Sequence, residues 1–128
     1  MQDKHLFEYA VIRIMPRVER GEFLNVGVIL YCKSQQFLKV SFTLDQARLQ
    51  ASFPSLDLHF VNNHLQAFQQ IAEGVSATSP IAALDPASRF RWLTARRSTI
   101  LQTSEVHPGF CGDAAQTLTD LHRKLVAV

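Results

Sequence analysis

The chain has 128 residues, a net charge of +2 and a hydrophobic share of 47%, which sets it apart from disordered and fibrous proteins. That length can bury one continuous core without a metal or a disulfide, so one domain over residues 1–128 is expected. Asp3, Lys4, His5 and Glu8 break up the amino-terminal run that a secretory signal would need. No apolar stretch approaches the roughly 20 residues that cross a bilayer, so the expectation is a cytoplasmic protein with no membrane contact.

In chain order, "FEYAVIRIM" (Phe7 to Met15), "FLNVGVILYC" (Phe23 to Cys32) and "FLKVSF" (Phe37 to Phe42) are rich in β-branched and aromatic residues and predict three strands. The short turns "RVERGE" and "KSQQ" between them predict an antiparallel meander. "LDQARLQAS" predicts a short helix that starts near Asp45 and stops before Pro54. Leu58, Val61, Leu65, Phe68 and Ala72 follow the three-and-four spacing of an amphipathic helix, with Gly74 as its cap. From Gly74 to Pro86 small residues and prolines predict a loop anchored by Ile81 and Leu84. "PASRFRWLTARR" predicts one or two helical turns beginning at Pro86, capped by Asp85 or Ser88. "STILQTSEV" is a fourth strand, ended by "HPG". Ala115, Leu118, Leu121, Leu125 and Val126 then form one side of a terminal amphipathic helix, with Asp113 as N-cap. The fold class is α+β: a mostly antiparallel sheet that begins with a three-stranded meander, helices packed on one face, and a C-terminal amphipathic helix.

Asn25 and Gly27 interrupt the second strand. Strict alternation puts Leu24, Val26, Val28 and Leu30 on the face of Ala10, Ile12 and Ile14, against the helices. Tyr9, Arg13, Asn25, Gly27 and Tyr31 then share the opposite face, where the interruption opens a shallow space beside Arg13. A structural reading stands ahead of that one: a strand glycine marks a bulge or a close backbone approach, and Asn25 bonds into a neighbouring turn. In the preceding turn, Glu22 pairs with Arg20 or Arg17.

Arg89, Arg91, Arg96 and Arg97 crowd "RFRWLTARRS", and no carboxylate lies between Asp85 and Glu105. Interleaved with Phe90 and Trp92, these arginines suit phosphate contact and base stacking. A helix with Arg toward solvent and its aromatic residues toward the core gives the same pattern, and the small net charge disfavours nucleic acid.

Known catalytic motifs are absent: there is no phosphate loop, GxGxxG, GxSxG or HExxH. Glu19 and Glu22 with Asn25 form a weak acid–base set, and Cys111 near His107 a weak nucleophile and base. Cys32 and Cys111 lack CxxC spacing, and His59 and His64 are five apart, so neither a metal nor a cofactor is expected.

"YAVIRIMPRVERGEFLNVGVILYC", "FRWLTARRSTILQTSEVHPG" and the ending "LHRKLV" resemble a bacterial family named only as domain of unknown function 3037. The family's usual pattern has "TAPRS" where this chain has "TARRS", so Arg96 stands in place of a proline. The resemblance implies a small cytoplasmic domain with no assigned catalytic residues. It also implies a neighbour with a kinase fold, like the toxin half of a persistence pair, as a protein partner.

The two longer blocks carry Arg13, Arg20, Glu22, Asn25 and Gly27, and Arg91, Trp92, Arg97 and Ser98. They are expected to meet as one polar, cationic surface. The leading expectation is a non-catalytic binding module for a protein partner or an anionic ligand. The alternative is a phosphate- or nucleic-acid-binding module, or an enzyme, using the Arg-rich segment 89–97; a homodimer is compatible with either.

Overall fold

The structure is a computed structural model that describes residues 4–97 and 99–127. Its strands are β1 (His5–Ile14), β2 (Leu24–Cys32), β3 (Phe37–Phe42), β4 (Leu101–Thr103) and β5 (His107–Cys111). Its α-helices are α1 (Gln46–Ser52), α2 (Leu58–Glu73), α3 (Pro86–Leu93) and α4 (Ala114–Leu125), so the fold is α+β. The sheet is antiparallel and runs β3-β2-β1-β4, with β5 also paired to β1. β1 is the centre: β2 lies along one side, and β4 and β5 share the other. β4 pairs with Ile12 to Ile14 and β5 with His5 to Tyr9.

Between β4 and β5 the ladder is repaired by a side chain. Ser104 is buried; its N–H donates to the Val11 carbonyl and its hydroxyl accepts from the Val11 N–H, both at 2.8 Å. β5 falls where the sequence suggested a strand's end, because Pro and Gly normally punctuate strands. Both fit an outermost strand. Proline lacks the N–H that pairs adjacent strands, so at the sheet's edge Pro108 sacrifices little. A Cβ on Gly109 would lie 2.7 Å from the Phe7 ring, so the ring would have to shift to admit one.

The helices start where side-chain oxygens are available to their unpaired N–H groups. Asp45, Asp57 and Asp113 accept from Arg48, Phe60 and Ala115. Asp85 makes no such side-chain bond, and α3 instead starts with Pro86, whose fixed φ suits the first turn. Gly74 ends α2 at φ +72°, the left-handed conformation a glycine cap supplies. In the segment between α2 and α3, Pro80–Ala83 form a 3-10 turn. Ile81 packs against the core as expected, but Leu84 is exposed, and buried Ala82 supplies the other anchor.

The main correction concerns β2. Ile12 pairs with Gly27 but Arg13 pairs with Asn25, so Val26 is an extra residue in a β-bulge. The bulge reverses the alternation. Leu24 and Val26 stay on the face of Ala10, Ile12 and Ile14, where Ile29 and Tyr31 join them. Val28, Leu30 and Cys32 turn to the opposite face with Phe7. Both faces of β2 are therefore apolar. α2 and α3 cover the first through Val61, Leu65, Phe68, Phe90 and Leu93, with Leu49 of α1 in the same cluster. α4 covers the second through Ala114 and Leu118, with Ala114 inward where the spacing had placed Ala115. His122 of α4 adds hydrogen bonds to Ser41 and Thr43, at 3.0 and 2.9 Å. No helix among the described residues is long and apolar enough to cross a membrane.

A Cβ on Gly27 would lie 2.5 Å from the Ser41 carbonyl oxygen and 2.9 Å from the Phe42 Cβ, so β3 must move to admit one. Gly27→Ala is expected to lose about 1–3 kcal/mol in urea unfolding through this overpacking. A loss below about 0.5 kcal/mol would show that β3 does not press on this position.

Candidate functional site

Arg13 lies on the central strand, opposite Asn25 of β2 and Gln102 of β4. Its guanidinium sits over the Phe23 ring, 4.1 Å from the centroid, a cation–π contact. Among the described residues it has no carboxylate partner, and its Nε is buried with no hydrogen-bond acceptor. Across the ladder, the Asn25 Nδ2 donates to the Leu125 carbonyl at 3.2 Å, while its Oδ1 is buried without a donor. Asn25 thus fastens β2 to the end of α4.

Arg13 opens onto a cavity of about 660 Å³ that Arg96, Arg97, Gln102, Glu105 and His107 also line. The structure therefore brings Arg13 and Arg97 together, as the two sequence blocks suggested. Arg96 and His107 join them, and exposed Glu105 is the one carboxylate among the described residues of the wall.

Other expected members lie elsewhere. Arg20 and Glu22 pair with each other in the exposed β1–β2 turn at 2.5 Å, and their hydrogen bond and charge hold the Glu22 carboxyl below its usual range and Arg20 above its own. Gly27 serves the approach of β3, and Tyr31 packs on Phe90 across the α3 face rather than near Arg13. Arg91 forms an ion pair with Glu8 at 3.2 Å. Ser98 lies outside the described residues.

The Arg-rich segment is divided among separate tasks. Arg89 donates to the Ala72 and Leu84 carbonyls at 3.3 and 2.6 Å, tying α3 to the end of α2. Arg97 donates to the Trp92 and Leu93 carbonyls, capping α3, and stacks on Trp92 at 4.1 Å. Burial pushes its pKa below the ordinary arginine value. Phe90 is fully buried, but Trp92 is 42% exposed, so it is not the core-facing ring that an alternating helix would give.

The weak catalytic sets do not assemble. Glu19 pairs with Arg17 and Glu22 with Arg20, whereas Asn25 faces α4. His107 and Cys111 are four residues apart on one strand, about 13 Å at strand spacing. His107 stacks on Tyr9, and Cys111 is buried in the α4 cluster together with Cys32. Both thiols are free. Burial, then the neighbouring Cys32, raises the Cys111 pKa, the opposite of an activated nucleophile. Among the described residues no three His, Cys, Asp or Glu side chains gather as a metal site.

A family described as "Protein of unknown function (DUF3037)" has a model that matches residues 9–126. The chain belongs to that family. The match includes both Arg13 and the 94–107 segment that faces it, so the whole cavity lies within the DUF3037 region. Among curated proteins and solved structures, nothing matches the chain at a significant level.

Sequence reading missed Phe23, Gln102 and His107 as neighbours of Arg13. Gln102 and His107 depend on the register of β4 and β5 against β1, which no local pattern encodes; Phe23 was visible as an aromatic residue beside the turn.

Two measurements follow from these contacts. Arg97→Ala is expected to destabilise the fold by about 1–3 kcal/mol through its lost cap, and Arg91→Ala, at an exposed ion pair, by less than about 1 kcal/mol. Equal small losses in urea unfolding would return Arg97 to the free surface. Because its protonated form is favoured, Cys111 should alkylate with iodoacetamide more slowly than a free cysteine at pH 7, speeding up only as pH rises past the ordinary thiol range. A rate above the free-cysteine value would contradict its placement.

Proposed function

We propose that this DUF3037 protein is a non-catalytic binding module, and that its β1–β4 cavity receives an anionic group presented by a protein partner. The observation that carries this reading is Arg13: a half-buried cation against an aromatic ring, without a carboxylate among the described residues, at the wall of an open cavity. A cation withdrawn from water is stabilised by a counter-charge, and guanidinium is suited to carboxylate and phosphate alike. Arg96 and Arg97 on the facing wall strengthen the field. The kinase-fold neighbour implied by the family resemblance is the first partner to pair with this site. Nucleic acid is the poorer reading, because Arg89 and Arg91 of the Arg-rich segment are each occupied within the fold.

The test is a titration of the intact protein with inorganic phosphate, followed through the arginine Nε–Hε signals by NMR. The expected result is a saturable shift at Arg13, with Arg123 unmoved, and affinity reduced about tenfold or more, roughly 1.4 kcal/mol, in Arg13→Gln. Equal small shifts at every arginine, or none at Arg13, would defeat the proposal.

A further inference from the structure

A second surface lies on the α2–α3 side of the sheet and meets the Arg13 cavity at Arg97, Gln102 and Thr103. A cavity of about 490 Å³ opens between α2, α3 and β4, with Phe68, Ile71, Leu93 and Leu101 among its walls. A second cavity of about 490 Å³ runs from Phe53 and Leu56 to the β1–β2 turn. Phe60 and Ile100 line both, so the two lobes meet as one trough. Phe60 and Trp92 remain 45% and 42% exposed, which leaves two large rings in water on one apolar surface.

These rings are held in place. The Arg97 guanidinium covers one face of Trp92, and the His64 ring packs against Phe60 at 4.1 Å while its Nδ1 bonds the Phe60 carbonyl. An aromatic side chain fixed before binding loses little freedom when a partner arrives, as the anchors of strong interfaces do.

The charges select the occupant. In the first lobe the ionisable groups are Arg97 and His64, with no carboxylate among the described lining residues. In the second, the lining cations Arg17 and Arg20 are matched by the lining carboxylates Glu22 and Asp57. The uncompensated charge is therefore positive and lies at the Trp92 end. Two apolar lobes separated by one aromatic ridge match a chain with spaced side chains better than a single compact molecule.

We propose that this trough docks a peptide segment of a protein partner, with two bulky apolar side chains in the lobes and an acidic residue facing Arg97. The proposal needs no occupant in the anionic cavity, with which it shares Arg97. Trp92 is the sole tryptophan and lines the first lobe, so all tryptophan emission arises at this trough. The experiment selects random 12-residue peptides by phage display on the intact protein, then titrates the synthesised winners against Trp92 emission. The expected winners share two bulky apolar residues and an Asp or Glu, and shift Trp92 saturably. Ala67 is exposed and lines the first lobe. Ala67→Glu should therefore weaken these peptides at least about tenfold, by bulk and like charge, with its unfolding midpoint retained. Phe60→Ala, which removes a half-exposed ring, gives a second reading of the same loss. Arg13→Gln should leave peptide affinity unchanged, which separates this site from the phosphate site. Winners without the apolar–acidic pattern, or equal affinity in Ala67→Glu and Phe60→Ala, would overturn the proposal.

Discussion

The extra residue in β2 sets the phase of everything packed on the sheet. With Val26 bulged, the strand leaves it with its side chains exchanged between faces, so that Ile29 and Tyr31 enter the α2–α3 core and Val28, Leu30 and Cys32 the α4 core. A strand so constituted must be covered twice, because burial on one face alone would leave Val28, Leu30 and Cys32 in water. The terminal helix answers that need, and the helices α1 to α3 answer the other. Gly27 permits this by leaving room for β3 where a side chain would collide with its backbone.

Double coverage restricts where the protein can recognise anything. Most of β1 and β2 is spent on the two cores. Pro108 stands in the outer strand β5, where a missing N–H discourages further strand pairing. The β4 end differs. There Arg13 emerges on one side of the strand, and the aromatic trough with Trp92 and Phe60 opens on the other, with Arg97 and Gln102 lining both cavities. Arg97 thereby serves the fold and the surface at once: its contacts with α3 fix Trp92 and present its charge. Few of the other arginines are free for recognition, which is why local basicity in the sequence overstates the cationic surface.

Much of the fold was legible because it rests on local rules. Three strands, their antiparallel order, α2 with its Gly74 cap and α4 with its Asp113 cap all follow from alternation, helical spacing and capping chemistry. Arg13 opposite Asn25 was also recoverable, since both lie before the phase of β2 changes. The bulge itself was not placed, although Asn25 and Gly27 signalled one, because the displaced residue is an ordinary valine and an apolar strand tolerates either phase. β5 was hidden by Pro108 and Gly109, whose presence reflects a sheet edge and the Phe7 ring rather than a turn. The arginine roles were illegible for a different reason. Whether a guanidinium caps a helix, pairs with Glu8 or faces a cavity depends on contacts as distant in sequence as Glu8 and Arg91.

The phase of β2 is the claim on which the two covered faces and the placement of both surfaces depend. Methyl-to-methyl NOE spectroscopy tests it directly. The account predicts contacts from Val28 and Leu30 to Leu118 of α4, together with contacts from Ile29 to the Leu65 cluster on the other face. Contacts from Val28 and Leu30 to Leu65 instead would mean uninterrupted alternation, and would contradict the bulge and the architecture built on it.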